Sequence, residues 1–164
     1  MLVVNTGPFG VLGGVEPLGF AGRPGEWNRT RACVAPTRME IIMSLLRPLD
    51  PTFPIERQLA VEASPVVLVN VFTLDNADEQ AFLQVWRDHS LFMKRQPGFI
   101  STQLHRAVGE SPTYLNYAVW ESTAHYRAVF THPEFRAKLP HFPSSVAASP
   151  YLYQKVAVPG FCVA

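Results

Sequence analysis

The side chains best suited to chemistry cluster on short strand-like segments. In Thr113 to Glu121, strand alternation puts Tyr114, Asn116, Ala118 and Trp120 on one face, and Leu115, Tyr117 and Val119 on the other. Asn116 and Trp120 therefore share a wall, offering an amide and an indole N–H four residues apart. An earlier apolar run, Val66 to Leu74, groups Leu68, Asn70 and Phe72 in the same way. A third, Phe99 to Ala107, groups Phe99, Ser101, Gln103 and His105. Polar groups set among aromatics suit a flat, partly polar ligand, and an imidazole titrates near neutrality.

Each residue also has a plainer reading. Asn116 could satisfy only local hydrogen bonds, Trp120 could fill the core, and His105 could face solvent. Tyr126 stands at helical spacing with Phe130, which packing explains as well as function does. Asn70 is harder to dismiss, because an amide in an apolar strand is costly without partners. His89, His125, His132 and Arg127 read as surface or packing residues, and Trp86 as core.

The elements that must hold these residues follow from periodicity. Val66 to Leu74 is a buried strand. Asn76 with Glu79 resembles a capping box, opening a helix with Phe82, Val85, Trp86, His89, Phe92 and Met93 at helical spacing and ending before Pro97-Gly98. Phe99 to Ala107 and Thr113 to Glu121 make a hairpin around Gly109 to Pro112. Ser122 can cap a second helix through Phe130. Pro133 suits the first turn of a short helix reaching Leu139. Pro140 to Pro150 reads as a loop and Tyr151 to Val158 as the last strand. This order predicts an α+β, ferredoxin-like βαββαβ fold with a four-stranded antiparallel sheet. Helices cover only one face, so the apolar opposite face needs a cover. Two sheets paired face to face in a homodimer would supply it and enclose a cavity in each subunit.

Upstream, the texture differs. Residues 1–38 carry recurrent Gly and Pro without apolar period and read as a disordered or translated leader, with Met39 or Met43 as alternative starts. Residues 39–65 read as an extended arm, open to wrapping a partner subunit, and 66–164 as the domain. Gly7 to Gly14 lacks the strand and the Lys-Ser/Thr of a phosphate loop.

Bulk properties narrow the classes. Of 164 residues, 48% are hydrophobic, enough for one core, and the net charge of +1 gives no reason to expect nucleic acid as a partner. Cys33 and Cys162 lie far apart, outside any metal-ligand spacing, so neither a metal site nor a disulfide scaffold is expected. No membrane span or basic secretory n-region is evident, and a cytoplasmic setting is expected.

Pro97-Gly98-Phe99-Ile100-Ser101, the block Tyr114 to Ser122 with its Asn-Tyr-Ala-x-Trp-Glu-Ser pattern, Tyr126-Arg127, and His132-Pro133-Glu134-Phe135 resemble the antibiotic biosynthesis monooxygenase family over about residues 66–158. Asn116 is closest to its quinone-forming branch, which acts on aromatic polyketide intermediates. The resemblance implies a dimeric α/β barrel and oxygenation without a cofactor, with O2 and a small aromatic substrate as partners. It places Asn116, Trp120, Tyr126 and His105 in the catalytic pocket, where Leu68, Asn70 and Phe72 would bind substrate.

Such chemistry needs an electron-rich phenolate, because triplet oxygen reacts slowly with closed-shell molecules. Asn116 and Trp120 would stabilise negative charge, His105 would accept a proton, and Tyr126 would relay protons or orient the substrate. Two departures stand out. A family arginine falls near Leu139 and Pro140, and Leu104 replaces a pocket tyrosine. Haem-degrading relatives share an asparagine matching Asn70, but their tryptophan and histidine would align near Val129 and Leu139, so haem degradation is disfavoured. The alternatives are a cyclase or isomerase, or a non-catalytic ligand-binding protein, on the same frame.

Overall fold

The computed structural model describes residues 45–163. The leader reading, Met39, Met43 and Cys33 lie outside the described residues. The elements are α1 (Ile55–Gln58), β1 (Val66–Thr73), α2 (Glu79–Met93), β2 (Phe99–Arg106), β3 (Thr113–Trp120), α3 (Thr123–Phe130), α4 (Pro133–Lys138) and β4 (Ala147–Tyr153). The strands form one antiparallel sheet in the order β2-β3-β1-β4. This is the α+β, ferredoxin-like arrangement that the element order predicts.

Local chemistry explains most boundaries. Ser122 caps α3, its hydroxyl accepting from the His125 N–H at 3.3 Å. Pro133 opens α4, and the His132 ring caps it by accepting from the Glu134 N–H at 3.1 Å. Gly98 turns the chain from α2 into β2 with φ +77°, and a Cβ there would lie 2.2 Å from Cγ of His125. Positive φ and close approach both require glycine at that point.

Two local expectations fail. Glu79 closes no capping box: Asn76–Asp78 forms a 3-10 turn, and α2 begins without a side-chain cap. The Glu79 carboxylate instead accepts from Arg106 Nε at 2.6 Å and from the Tyr114 hydroxyl. These two partners hold its pKa below the usual carboxylate value. A charge-assisted bond across elements outcompetes a local cap. The last strand also starts earlier than expected, at Ala147, and stops at Tyr153. Pro150 sits within it, opposite Asn70. β4 is an edge strand, where a missing N–H need not break the ladder.

The core lies between the sheet and the helices. Phe82, Phe92, Leu68, Val66, Val129 and Trp120 are nearly or fully buried there. Phe82 contacts Phe72 and Tyr114 at ring centroid distances of 5.1 and 5.0 Å. The described part of the arm lies along the β4 edge of its own domain. Leu46 bridges Ala148, the Arg47 N–H donates to the Ala148 carbonyl at 2.8 Å, and the Gln58 amide bonds both backbone groups of Leu152. Among the described residues, no helix is long and apolar enough to cross a membrane.

Candidate active site

One face of the sheet positions the site. β1 and β3 pair so that Asn70 stands opposite Asn116, Leu68 opposite Ala118, and Phe72 opposite Tyr114. Directly opposed residues project to the same side, so both asparagines face the helices. β2 adds Thr102 opposite Ala118 and Phe99 opposite Trp120. From above, α2 contributes Trp86, His89 and Met93, and α3 contributes Tyr126 and Phe130. Together with Leu45 and Leu46 of the arm, these residues line a cavity of about 80 Å³.

The walls are mainly apolar, but several polar atoms interrupt them. Asn116 is buried, and its Oδ1 accepts from the Thr102 hydroxyl at 2.7 Å. That bond fixes the amide and leaves its NH2 end as the group able to donate toward a ligand. The indole N–H of Trp120 is buried without a partner, and so is Oδ1 of Asn70. The Trp120 ring is held edge-on by Phe99 at 5.4 Å and packs on Tyr126 at 5.5 Å. Burial drives the Tyr126 phenol pKa well above its ordinary value, so this hydroxyl stays protonated near neutral pH.

Six of the seven residues singled out from sequence line this cavity: Leu68, Asn70, Phe72, Asn116, Trp120 and Tyr126. His105 does not. It is exposed, pairs with Leu115, and projects from the opposite face. The cause is a β-bulge between Phe99 and Ser101, which inserts one residue at Ile100. A single insertion reverses the alternation beyond it. Thr102 and Leu104 therefore join Phe99 on the cavity side, while Ser101, Gln103 and His105 turn outward.

The histidine that does reach the cavity is His89, read from sequence as surface or packing. Its signal was present: it lies on the apolar stripe of Phe82, Trp86 and Met93. Its Nε2 is buried without a partner, and burial lowers its pKa to about 4. Thr102 was missed because the bulge leaves no mark in an alternation count.

The cavity lies between the sheet and the helices of one chain. Its volume is about half of the roughly 150 Å³ that admits benzene in an engineered core. A fused-ring ligand would have to displace lining groups, of which Leu45 and Leu46 belong to the arm.

A model of the family described as "antibiotic biosynthesis monooxygenase" matches residues 65–138. Among solved structures, SnoaB, a cofactor-independent oxygenase from Streptomyces nogalater, is 26% identical. The similarity covers 60% of this chain and 99% of SnoaB, with a TM-score of 0.54. An asparagine-to-alanine variant of SnoaB matches at 25% identity over the same shares, with a TM-score of 0.53. A protein from Shewanella loihica PV-4 with a provisional monooxygenase designation is 31% identical, covering 58% of this chain and 97% of that one at a TM-score of 0.49. No curated protein sequence matches. Through residues 65–138, the chain belongs to the antibiotic biosynthesis monooxygenase family.

Proposed function

We propose that this protein is a cofactor-independent monooxygenase that oxidises a phenolic or anthrone-type aromatic to a quinone. The supporting observation is the gathering of the Asn116 amide, the unpartnered Trp120 N–H and Asn70 around a single, mainly apolar cavity. The likeness to SnoaB adds to it.

The stoichiometry closes without a helper. A phenol carrying a free ring C–H and one O2 give a quinone and one water, and the substrate supplies all four electrons. The hydroxyl first loses its proton. The phenolate passes an electron to oxygen, and the two radicals combine at a ring carbon. Loss of water from the resulting hydroperoxide, with the ring C–H proton, leaves the second carbonyl. The residues serve this sequence by holding negative charge. Asn116 NH2 and Trp120 Nε1–H donate to the phenolate oxygen in a site largely shielded from water, where such bonds count for more. Tyr126, kept neutral, offers a further donor. Leu68 and Phe72 supply flat apolar contact.

The open face of the sheet suits a second copy of the chain. Val67, Val69, Val71 and Val119 lie there with Leu115 and Tyr117, each 37% exposed. A homodimer would cover them.

Oxygen uptake by purified protein with an anthrone and no added cofactor tests the reading. We expect turnover that falls about 10²-fold or more in Asn116→Ala and Trp120→Phe. Equal uptake by wild type and both variants would remove the proposal. The small cavity favours a second reading, a single-ring phenol as substrate. Turnover of a monocyclic phenol with a free para C–H, in preference to an anthrone, would support it.

A further inference from the structure

His89 lies on α2, 6% exposed as a residue, with its ring near those of Phe135 at 5.5 Å and Phe142 at 5.0 Å. It lines the same cavity as Asn70 and Trp120. Its Nε2 is buried with no partner. In the tautomer with its hydrogen on Nδ1, Nε2 presents a lone pair toward its buried surroundings. A buried acceptor without a donor carries a desolvation penalty that a bound hydroxyl would remove.

We propose that His89 Nε2 accepts the hydroxyl proton of the substrate. This proposal rests on the phenol-oxidising reading and assigns its base. The O–H bond of the phenol breaks, an Nε2–H bond forms, and the electron pair stays on the oxygen, beside the Trp120 and Asn116 donors. The proton later returns to the peroxide oxygen that leaves as water. The unpartnered acceptors, Nε2 and Asn70 Oδ1, against one unpartnered donor, Trp120 Nε1, favour a ligand with hydroxyl donors and one carbonyl or oxyanion.

The surroundings explain why the base is idle without substrate. Burial is the largest influence against the imidazolium, and Lys138 on α4 and His141 in the turn after it also disfavour it. The Lys138 carbonyl and Asp88, on the His89 helix, oppose them. The ring is thus neutral at neutral pH and free to accept. A phenolate formed at Nε2 provides the counter-charge that burial withholds, so transfer is favoured by the substrate itself.

The test uses 1-naphthol, whose ionised form absorbs at longer wavelength. Under anaerobic conditions at pH 7, wild-type protein should bind it as naphtholate. His89→Phe, which preserves the aromatic packing, and His89→Gln should bind it as the neutral naphthol, with Trp fluorescence reporting binding in each case. In air, both variants should lose about 10²-fold in kcat/KM at pH 7. They should regain it about tenfold per pH unit toward the pKa of naphthol, while wild type stays flat. Naphtholate bound equally by wild type and variants, or neutral naphthol bound by all three, overturns the proposal. Naphtholate in wild type alone, without oxygen uptake, upholds His89 as the base and refutes the oxygenase reading instead.

Discussion

The two faces of the sheet are built from the same strands and differ in almost everything else. Asn116 and Leu115 are adjacent, yet one is buried against the helices and the other is open. The same holds for fully buried Trp120 beside half-buried Val119. On the helix side, a closed apolar setting makes each polar atom consequential, because an amide or imidazole there has few competing partners. On the open side, His105 is exposed to water beside partly exposed valines, Leu115 and Tyr117. Burial, not residue type, thus separates the two faces. The two histidines demonstrate it: His89 and His105 are the same side chain, and only the first is withdrawn from solvent.

Matched substitutions on the two faces should separate these roles. The largest effect is expected in the core. Phe82→Ala should cost about 3–5 kcal/mol of stability in urea unfolding, against about 1 kcal/mol for Leu115→Ala in a lone subunit. A Leu115→Ala cost that grows with protein concentration would show that the open face is covered by a second copy.

Next is acid sensitivity. The ordinary His pKa of 6.5 is lowered to about 4 in the folded state. Between these values the unfolded chain binds a proton that the folded chain refuses. Stability therefore falls as pH drops from 6.5 to 4, by about 3 kcal/mol from this group. Unfolding curves of wild type and His89→Phe should diverge in that window, and parallel curves would contradict the burial.

A somewhat smaller change, about 10²-fold in kcat/KM, is expected for Asn116→Ala, with Leu115→Ala near wild type. Thr102→Val should be milder, about 1 kcal/mol in stability, because it frees Asn116 Oδ1. Its turnover should fall less than that of Asn116→Ala. The smallest effect belongs to His105→Ala, with oxygen uptake within about twofold of wild type. A large loss there would mean that His105 acts from outside the cavity of its own chain, for example across an interface.

Much of the frame was legible in the chain. The run Val66 to Thr73, the hairpin around Gly109, the Ser122 cap and Pro133 each carry local chemistry that dictates local conformation. Five cavity residues followed from alternation on β1 and β3, since neither strand contains an irregularity, and Tyr126 on α3 followed from the family resemblance. β2 defeated the same count because its bulge depends on pairing with β3. Glu79 likewise found Arg106 and Tyr114, which are distant in sequence and invisible to a capping rule.

What the amino-acid order determined by itself was the succession of elements and which residues on a regular strand share a side. Period and capping act over a few residues and need no distant partner. Only the tertiary structure decided which histidine entered the cavity, which polar atoms were left without partners, and how little room remained between them. Those outcomes depend on strand register, on a bulge and on helices closing over the sheet, where contacts between remote residues compete and the strongest combination prevails.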